Sequence, residues 1–364
     1  MSALPPKKTT TKKTRADFEL LGQKIPAGTR RLLQLDIGKL YTNTPLTIGI
    51  EVIHGKQDGP VLLVTAAIHG DELNGIEACR RLAKSPSLDR LQGTLILVPI
   101  VNVFGFIQQI RYLPDRRDLN RCFPGSEKGS LGSRIAYLIR TQLLSHCTHV
   151  VDLHTGAIHR SNLPQIRGNF ENQSTLDMAQ AFGAPVILHS NILDGSFRDA
   201  ADKLNIPFIL YEAGEALRFD EPAIKGGVTG LLGVMTHLGM LKSKSPKKPL
   251  SPLLARTSQW IRASHDGLMI AKVKLGERVK EGSLLALIVD PCGTSEEEIR
   301  SPIKGIIIGR NNIPVVNEGE ALFHIASFET LQNAEKTLAQ FHAHMKDLED
   351  PELLFTDPWG NHDD

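Results

Sequence analysis

Cysteine is scarce: four residues in 364 (Cys79, Cys122, Cys147 and Cys292), with no C-x-x-C pair. That excludes a disulfide scaffold and a thiolate zinc ribbon, and it points to a reducing, cytoplasmic setting. An excess of charge is also missing. Lys plus Arg number 42 against 40 Asp plus Glu, a net charge of +2, so wholesale nucleic-acid binding has no electrostatic basis. Uninterrupted apolar runs of membrane-spanning length are absent. Leu91–Ile110 carries no charge, but Pro99, Asn102, Gly105, Gln108 and Gln109 break it, so it reads as a buried strand followed by a loop and no membrane partner is expected. The basic N-terminus (MSALPPKKTTTKKTR) lacks an apolar leader core, which argues for a solvated tail rather than a secretory signal.

What is present is a globular composition, 41% hydrophobic and 23% charged, long enough for two domains. From Pro45 to about Met240, short charge-free strands alternate with helical stretches. The strands read are Leu46–Ile53, Val61–Ile68, Leu95–Ile100, Val150–Leu153, Val186–His189 and Phe208–Leu210; the helices lie near Leu73–Leu82, Leu131–Leu144, Ser174–Phe182 and Phe197–Leu204. This pattern predicts an α/β domain whose sheet is covered on both faces. A Lys/Ser/Pro-rich stretch, LKSKSPKKPLSP, then marks a linker. Beyond it, regularly spaced glycines between short apolar pieces give an all-β rhythm. The two halves of this unit echo one another: Val279-Lys280-Glu281-Gly282 returns as Val316-Asn317-Glu318-Gly319. The expected organisation is a basic tail (1–20), a catalytic domain (21–242), a linker (243–256), a β domain (257–327), an amphipathic helix (328–349) and an acidic tail (350–364).

Four segments carry chemistry. The first is His69-Gly70-Asp71-Glu72, where a buried strand meets a helix. A His and a carboxylate three residues apart can converge on one ion, and Gly70 permits the tight turn between them; an ordinary helix start with acids near the positive dipole end explains the same tetrapeptide. The second is Asp152-Leu153-His154-Thr155-Gly156, another strand end. Alternation places Asp152 and His154 on one face, so Asp152 can orient the ring. Two His and a Glu supply the three protein ligands of a catalytic zinc site and leave a fourth position for water. The third is Tyr211-Glu212-Ala213-Gly214-Glu215, where Glu212 leaves an apolar strand. A carboxylate there is costly unless paired or functional, and it suits a general base; Glu215 is its rival. The fourth, Arg111 to Arg121, packs four arginines into eleven residues around Asn120, a loop suited to gripping carboxylates.

In this order, H-G-D-E, R-Y-x-P…D-L-N-R-C-F-P-G, D-L-H-T-G and E-A-G-E resemble the succinylglutamate desuccinylase/aspartoacylase family of the zinc carboxypeptidase superfamily. The resemblance spans about Ile48 to Met240. The β unit resembles the C-terminal domain of bacterial members and the barrel-sandwich fold of biotinyl and lipoyl carriers, although Asp290-Pro291-Cys292-Gly293 at the corresponding hairpin has no carrier lysine. It implies a mixed β-sheet flanked by helices, zinc carboxypeptidase-like, with a smaller all-β barrel-sandwich domain. It further implies one zinc per chain on His69, Glu72 and His154. Glu212 is implied as the base, Arg111 (over Arg116 and Arg117) as the oxyanion partner, and Asn120 with Arg121 as the carboxylate grip. Arg160 and Arg167 are further candidates for substrate contact. No tyrosine can be assigned to the superfamily's mobile Tyr.

The reading is therefore a zinc amide hydrolase, a deacylase acting on a small N-acyl amino acid or related amide. A metallocarboxypeptidase and a non-catalytic zinc protein are the alternatives. A homo-oligomer is compatible with the sequence, which leaves the acyl group and the amino acid open.

Overall fold

The computed structural model describes residues 15–242 and 252–328, together with residues 337, 339–341 and 343. The described chain opens with a small antiparallel pair, β1 (Phe18–Leu20) and β2 (Gln23–Ile25). Then come β3 (Thr29–Lys39), β4 (Pro45–His54), β5 (Gln57–Ala66), α1 (Asn74–Ala83) and β6 (Gln92–Val98). Next are α2 (Val103–Gln108), α3 (Leu131–Gln142), β7 (His149–Gly156) and β8 (Arg160–Gly168). The helical half ends with α4 (Gln173–Phe182), β9 (Val186–His189), α5 (Phe197–Asp202), β10 (Phe208–Glu215) and α6 (Glu221–His237). The rest is strand: β11 (Leu253–Ala255), β12 (Thr257–Arg262), β13 (Gly267–Ala271), β14 (Arg278–Val279), β15 (Leu284–Val289), β16 (Glu296–Arg300), β17 (Gly305–Asn311), β18 (Val315–Val316) and β19 (Ala321–Ser327).

Thirteen strands form one mixed sheet, whose main path runs β12-β19-β17-β8-β10-β7-β5-β6-β4-β3. Its centre, β10, β7, β5 and β6, is parallel. Strand alternation splits β5 between two cores: Leu62 and Val64 join α1, α4 and α6 on one face, while Leu63 joins α3 and α5 on the other. That is why β5 and β6 carry no charge over their buried length. Helix starts are fixed locally. Asn172, Ser130 and Asp220 each accept a backbone N–H at the first turn of α4, α3 and α6. Among the described residues, no helix is long and apolar enough to cross a membrane, and the four cysteines are free.

The boundaries differ from expectation in four places. The tail does not reach residue 20: Phe18–Leu20 is a strand, Leu20 is buried, and Arg15 reaches the carbonyl oxygens of Gly55 and Gly93 at 3.2 and 2.7 Å. The linker does not reach residue 256, because Leu253–Ala255 pairs in parallel with β9. The β unit is not detached. β17 pairs with β8 of the catalytic sheet, so β17, β19 and β12 continue it, while β13, β15, β16 and β18 form a separate four-stranded antiparallel sheet. The two layers share one core, with Met269, Leu285 and Ile288 meeting Ile307, Phe323 and Ile325, as a β-sandwich requires. Of the expected C-terminal helix, Phe328 is a buried residue directly after β19, and Phe341 is buried in a helical segment near Gly226 of α6. Leu331, Ala334, Leu338 and Met345 lie outside the described residues, as do residues 1–14 and the acidic tail.

Candidate metal and catalytic site

The carboxyl ends of the parallel strands build the site, the usual ligand edge of such a sheet. His69 and Glu72 follow β5, His154 sits near the end of β7, and Glu212 lies on β10 in register with His154. Residues paired this way share a face, so Glu212 stands beside His154. The turn after β5 is closed by a bond from Glu72 N–H to the His69 carbonyl at 3.2 Å. Gly70 has a reason other than the one expected. Its φ is not in the left-handed range; instead, a Cβ here would lie 2.0 Å from the Gly105 carbonyl carbon of α2.

Three donors meet. One ligand atom each from His69, Glu72 and His154 lies within 4.8 Å of the others, and all three side chains are buried. The Glu72 carboxylate bridges the rings: Oε1 is 2.7 Å from His69 Nδ1, and Oε2 is 2.9 Å from His154 Nδ1. Asp152 holds His154 Nε2 at 2.7 Å, which leaves Nδ1 turned to the centre, and Thr65 in turn donates to Asp152 at 2.6 Å. A ligating imidazole braced by a carboxylate is a common metal arrangement. The backbone N–H of Thr155 also donates to Glu72 at 3.1 Å.

The electrostatics favour a cation at this point. Burial alone would raise the Glu72 carboxyl, but His69 and His154 hold it well below the ordinary carboxylate range. Burial opposes charge on His154, yet Asp152 and Glu72 push its pKa well above that of a free imidazole. His69 is raised against its own burial by Glu72 and Asp118. Carboxylates packed around two imidazoles can hold a divalent ion, and two imidazoles with one carboxylate form a donor set that suits zinc.

The arginine loop is fixed to this centre by Asp118. One Asp118 oxygen lies 3.1 Å from His69 Nε2, and the other accepts from Arg111 Nη2 at 2.9 Å. Arg111 also approaches Glu72 at 3.3 Å. Arg116 and Arg117 do not line the cavity. Asp118 further accepts from Asn120 N–H at 2.9 Å, which starts a short 3-10 turn, Leu119–Arg121. Asn120 is 8% exposed, and its side-chain Oδ1 accepts the backbone N–H of Phe197 at 2.9 Å. That leaves its NH2 group to donate. Arg121 is tied by one N–H to the Asn120 backbone carbonyl at 2.6 Å.

Glu212 lines the same cavity of about 470 Å³. Its surroundings are not the apolar ones that the strand composition suggests. Asn162 donates to Oε2 at 2.7 Å, and Arg167 approaches Oε1 at 3.7 Å. Glu215 is held elsewhere, by His159 N–H at 3.2 Å and Asn312 Nδ2 at 2.8 Å, and does not line the cavity. Arg160 and Arg167 both do. No tyrosine does: Tyr211 points to the opposite face and donates to the Ala223 carbonyl at 2.9 Å. Sequence reasoning missed Asp118, Asn162, Arg198 and Trp260. Asp118 alone left a signal, because it sits two residues before Asn120 in D-L-N-R.

Residues 58–238 match the model of the succinylglutamate desuccinylase/aspartoacylase catalytic domain. The chain belongs to this family. An N-alpha-acetyl-L-2,4-diaminobutyric acid deacetylase of Halomonas elongata is 29% identical over 284 residues, covering 74% of this chain and 83% of that protein. A solved family structure, a succinylglutamate desuccinylase from Silicibacter, is 26% identical with a TM-score of 0.74, covering 83% of this chain and 95% of that one. The product-bound ectoine utilization protein EutE (DoeB) of Ruegeria pomeroyi is 25% identical with a TM-score of 0.73, covering 82% and 94%. The alignments reach well beyond the family's catalytic segment, so the fold likeness takes in part of the β unit as well.

Proposed function

We propose that this family member is a zinc-dependent deacylase that hydrolyses the amide of a small N-acyl amino acid carrying a free carboxylate. The observation carrying the reading is the position of Glu212, in register with His154 and on the wall of the cavity that holds the His69–Glu72–His154 group. The Halomonas relative, named for removing an acetyl group from an acylated amino acid, supports the same reaction class.

Zinc on His69, Glu72 and His154 would supply the Lewis acidity that polarises the amide carbonyl and acidifies the attacking water. The chain's own groups do the rest. Glu212 accepts the water's proton and delivers it to the leaving nitrogen as the C–N bond breaks, giving a carboxylic acid and a free amine. Asn162 and Arg167 keep its carboxylate aimed into the cavity. Arg111, held flat by Glu72 and Asp118, faces the negative charge developing on the carbonyl oxygen, a contribution commonly worth ~3–4 kcal/mol when one donor is lost. The Asn120 NH2 and Arg121, with Arg167 alongside, grip the substrate carboxylate.

Glu212→Gln tests this. The variant should bind zinc as the native chain does, yet lose turnover by about 10²–10⁴-fold on an N-acyl amino acid panel. Turnover unchanged by the substitution would remove Glu212 from the mechanism. Release of C-terminal residues from peptides at rates exceeding the panel would favour a carboxypeptidase instead.

A further inference from the structure

The catalytic cavity has one wall that the family's catalytic segment does not supply. Trp260 of β12 belongs to the β unit, yet it lines the cavity together with Glu212, Asn162 and Arg160. A transverse row of residues explains how it gets there. Asn162 on β8 pairs with Gly309 on β17, Gly309 pairs with His324 on β19, and His324 pairs with Trp260 on β12. Paired residues face the same way, so all four share the cavity side of the sheet. Gly309 leaves the gap across which the indole leans. A Cβ there would lie 3.1 Å from Asn162 Oδ1, 3.1 Å from His324 Cβ and 3.6 Å from Trp260 Cη2.

The indole has two close partners. His324 stacks on it with ring centroids 4.4 Å apart and planes 9° from parallel, and His324 Nε2 is itself fixed to Ser258 Oγ at 2.8 Å. The Arg160 guanidinium lies 5.7 Å from the ring centroid on the cavity side, within cation–π range. Stacked on an imidazole that is itself hydrogen-bonded, the indole forms part of the cavity wall.

Its position along β8 gives it a role. Arg167 pairs with Leu210, Gln165 with Glu212, and Asn162 with Gly214. Glu212 therefore stands between two ends of the cavity. One end gathers Arg121, Arg167 and Arg198, and Arg198 has its pKa lowered to about 10 by burial and by the other two guanidiniums. The other end is Trp260 with Arg160. An amide placed at Glu212, with its amino-acid carboxylate on the arginine end, must send its acyl half towards the indole. We propose that Trp260 is a specificity-determining residue that limits the length of the acyl group. This inference rests on the deacylase reading and adds the β unit to the active site.

Two measurements on the full zinc-loaded chain test it. The first compares kcat/KM for N-acetyl, N-butanoyl and N-hexanoyl derivatives of one amino acid. Trp260→Ala should raise the hexanoyl-to-acetyl ratio at least tenfold, while inhibition by the free amino acid stays within twofold. An equal loss on all three acyl lengths would overturn the proposal. The second measurement needs no turnover and covers poor folding of the alanine variant. In a Trp359→Phe, Glu212→Gln chain, Trp260 is the remaining tryptophan. Its emission should change on saturation with the N-acyl amino acid and not with the free amino acid. Equal responses to both, or none to either, would overturn it. If the native chain cleaves no N-acyl amino acid, the deacylase reading fails with it; if the native chain is active and the length profile is unmoved, this inference alone fails.

Discussion

Asp118 ties together two groups that would otherwise be separate: one oxygen meets the His69 ring, and the other meets the Arg111 guanidinium. Burial opposes its charge, but His69 and Arg111 hold its pKa well below the ordinary aspartate range. Removing it should both loosen His69 and let Arg111 swing. For Asp118→Ala we expect kcat/KM to fall about 10–100-fold and zinc affinity to drop by a similar factor, as is usual when a ligand's support is lost. Chelator competition measures the second effect, and native-like values for both would show that Asp118 is only a turn residue. The residue's obscurity in the sequence has a plain cause. An Asp among arginines on a loop has the pattern of a solvated ion pair, and only the fold brings it to His69. His69, His154 and Glu212 were legible because each follows a run of apolar strand residues, where an unpaired polar group is costly, and Glu72 through its spacing of three from His69.

Between the residue and the molecule lie the elements, and here the sequence was legible in proportion to how regular each one is. The central strands and α1, α3 and α4 stood out because both faces of β5 and β7 are buried and the helices carry one apolar stripe. β8 did not. Its sequence, RSNLPQIRG, contains Pro164 and several polar residues, because its cavity face carries Arg160, Asn162 and Arg167. α6 hid behind Gly226, Gly227, Gly230 and Gly233, which weaken any helix signal. Those glycines are packing devices: a Cβ at Gly230 would stand 2.1 Å from the Phe182 ring of α4. The turn joining β5 to α1 is set by the same kind of contact against α2. Gly70→Ala would drive a methyl into the Gly105 backbone, so His69 and Glu72 on either side must shift. The expected result is a stability loss of about 1–3 kcal/mol together with weakened zinc binding, read by thermal melting and metal titration. A variant with native melting and native metal content would mean that the turn has slack the backbone distances do not suggest.

At the scale of the whole molecule, the β unit and the catalytic sheet meet along β8, β17 and β19, and the meeting line is polar. His324 is 4% exposed there, between Trp260 and Ser258, and its Nδ1 has no partner among the described residues. Burial and the nearby Arg167 push its pKa down to about 3, from an ordinary 6.5. The sign of the consequence follows from proton linkage. Above pH 6.5, His324 is neutral in both the folded and the unfolded chain and costs nothing. As the pH falls below 6.5, the unfolded chain takes up a proton that the folded chain refuses. Stability is therefore lost progressively down to about pH 3, by at most about 1.4 kcal/mol per pH unit. The charge would have to enter a stacked, enclosed position beside a guanidinium, so the seam should be where acid first opens the molecule. His324→Asn removes the titration while keeping a polar side chain near Ser258. Its stability should start lower but depend less steeply on pH between 4.5 and 6.5 than that of the native chain, as measured by denaturant unfolding at each pH. Comparing the two slopes cancels the other histidines, since both chains carry them. Parallel slopes would show that His324 takes its proton without opening the seam.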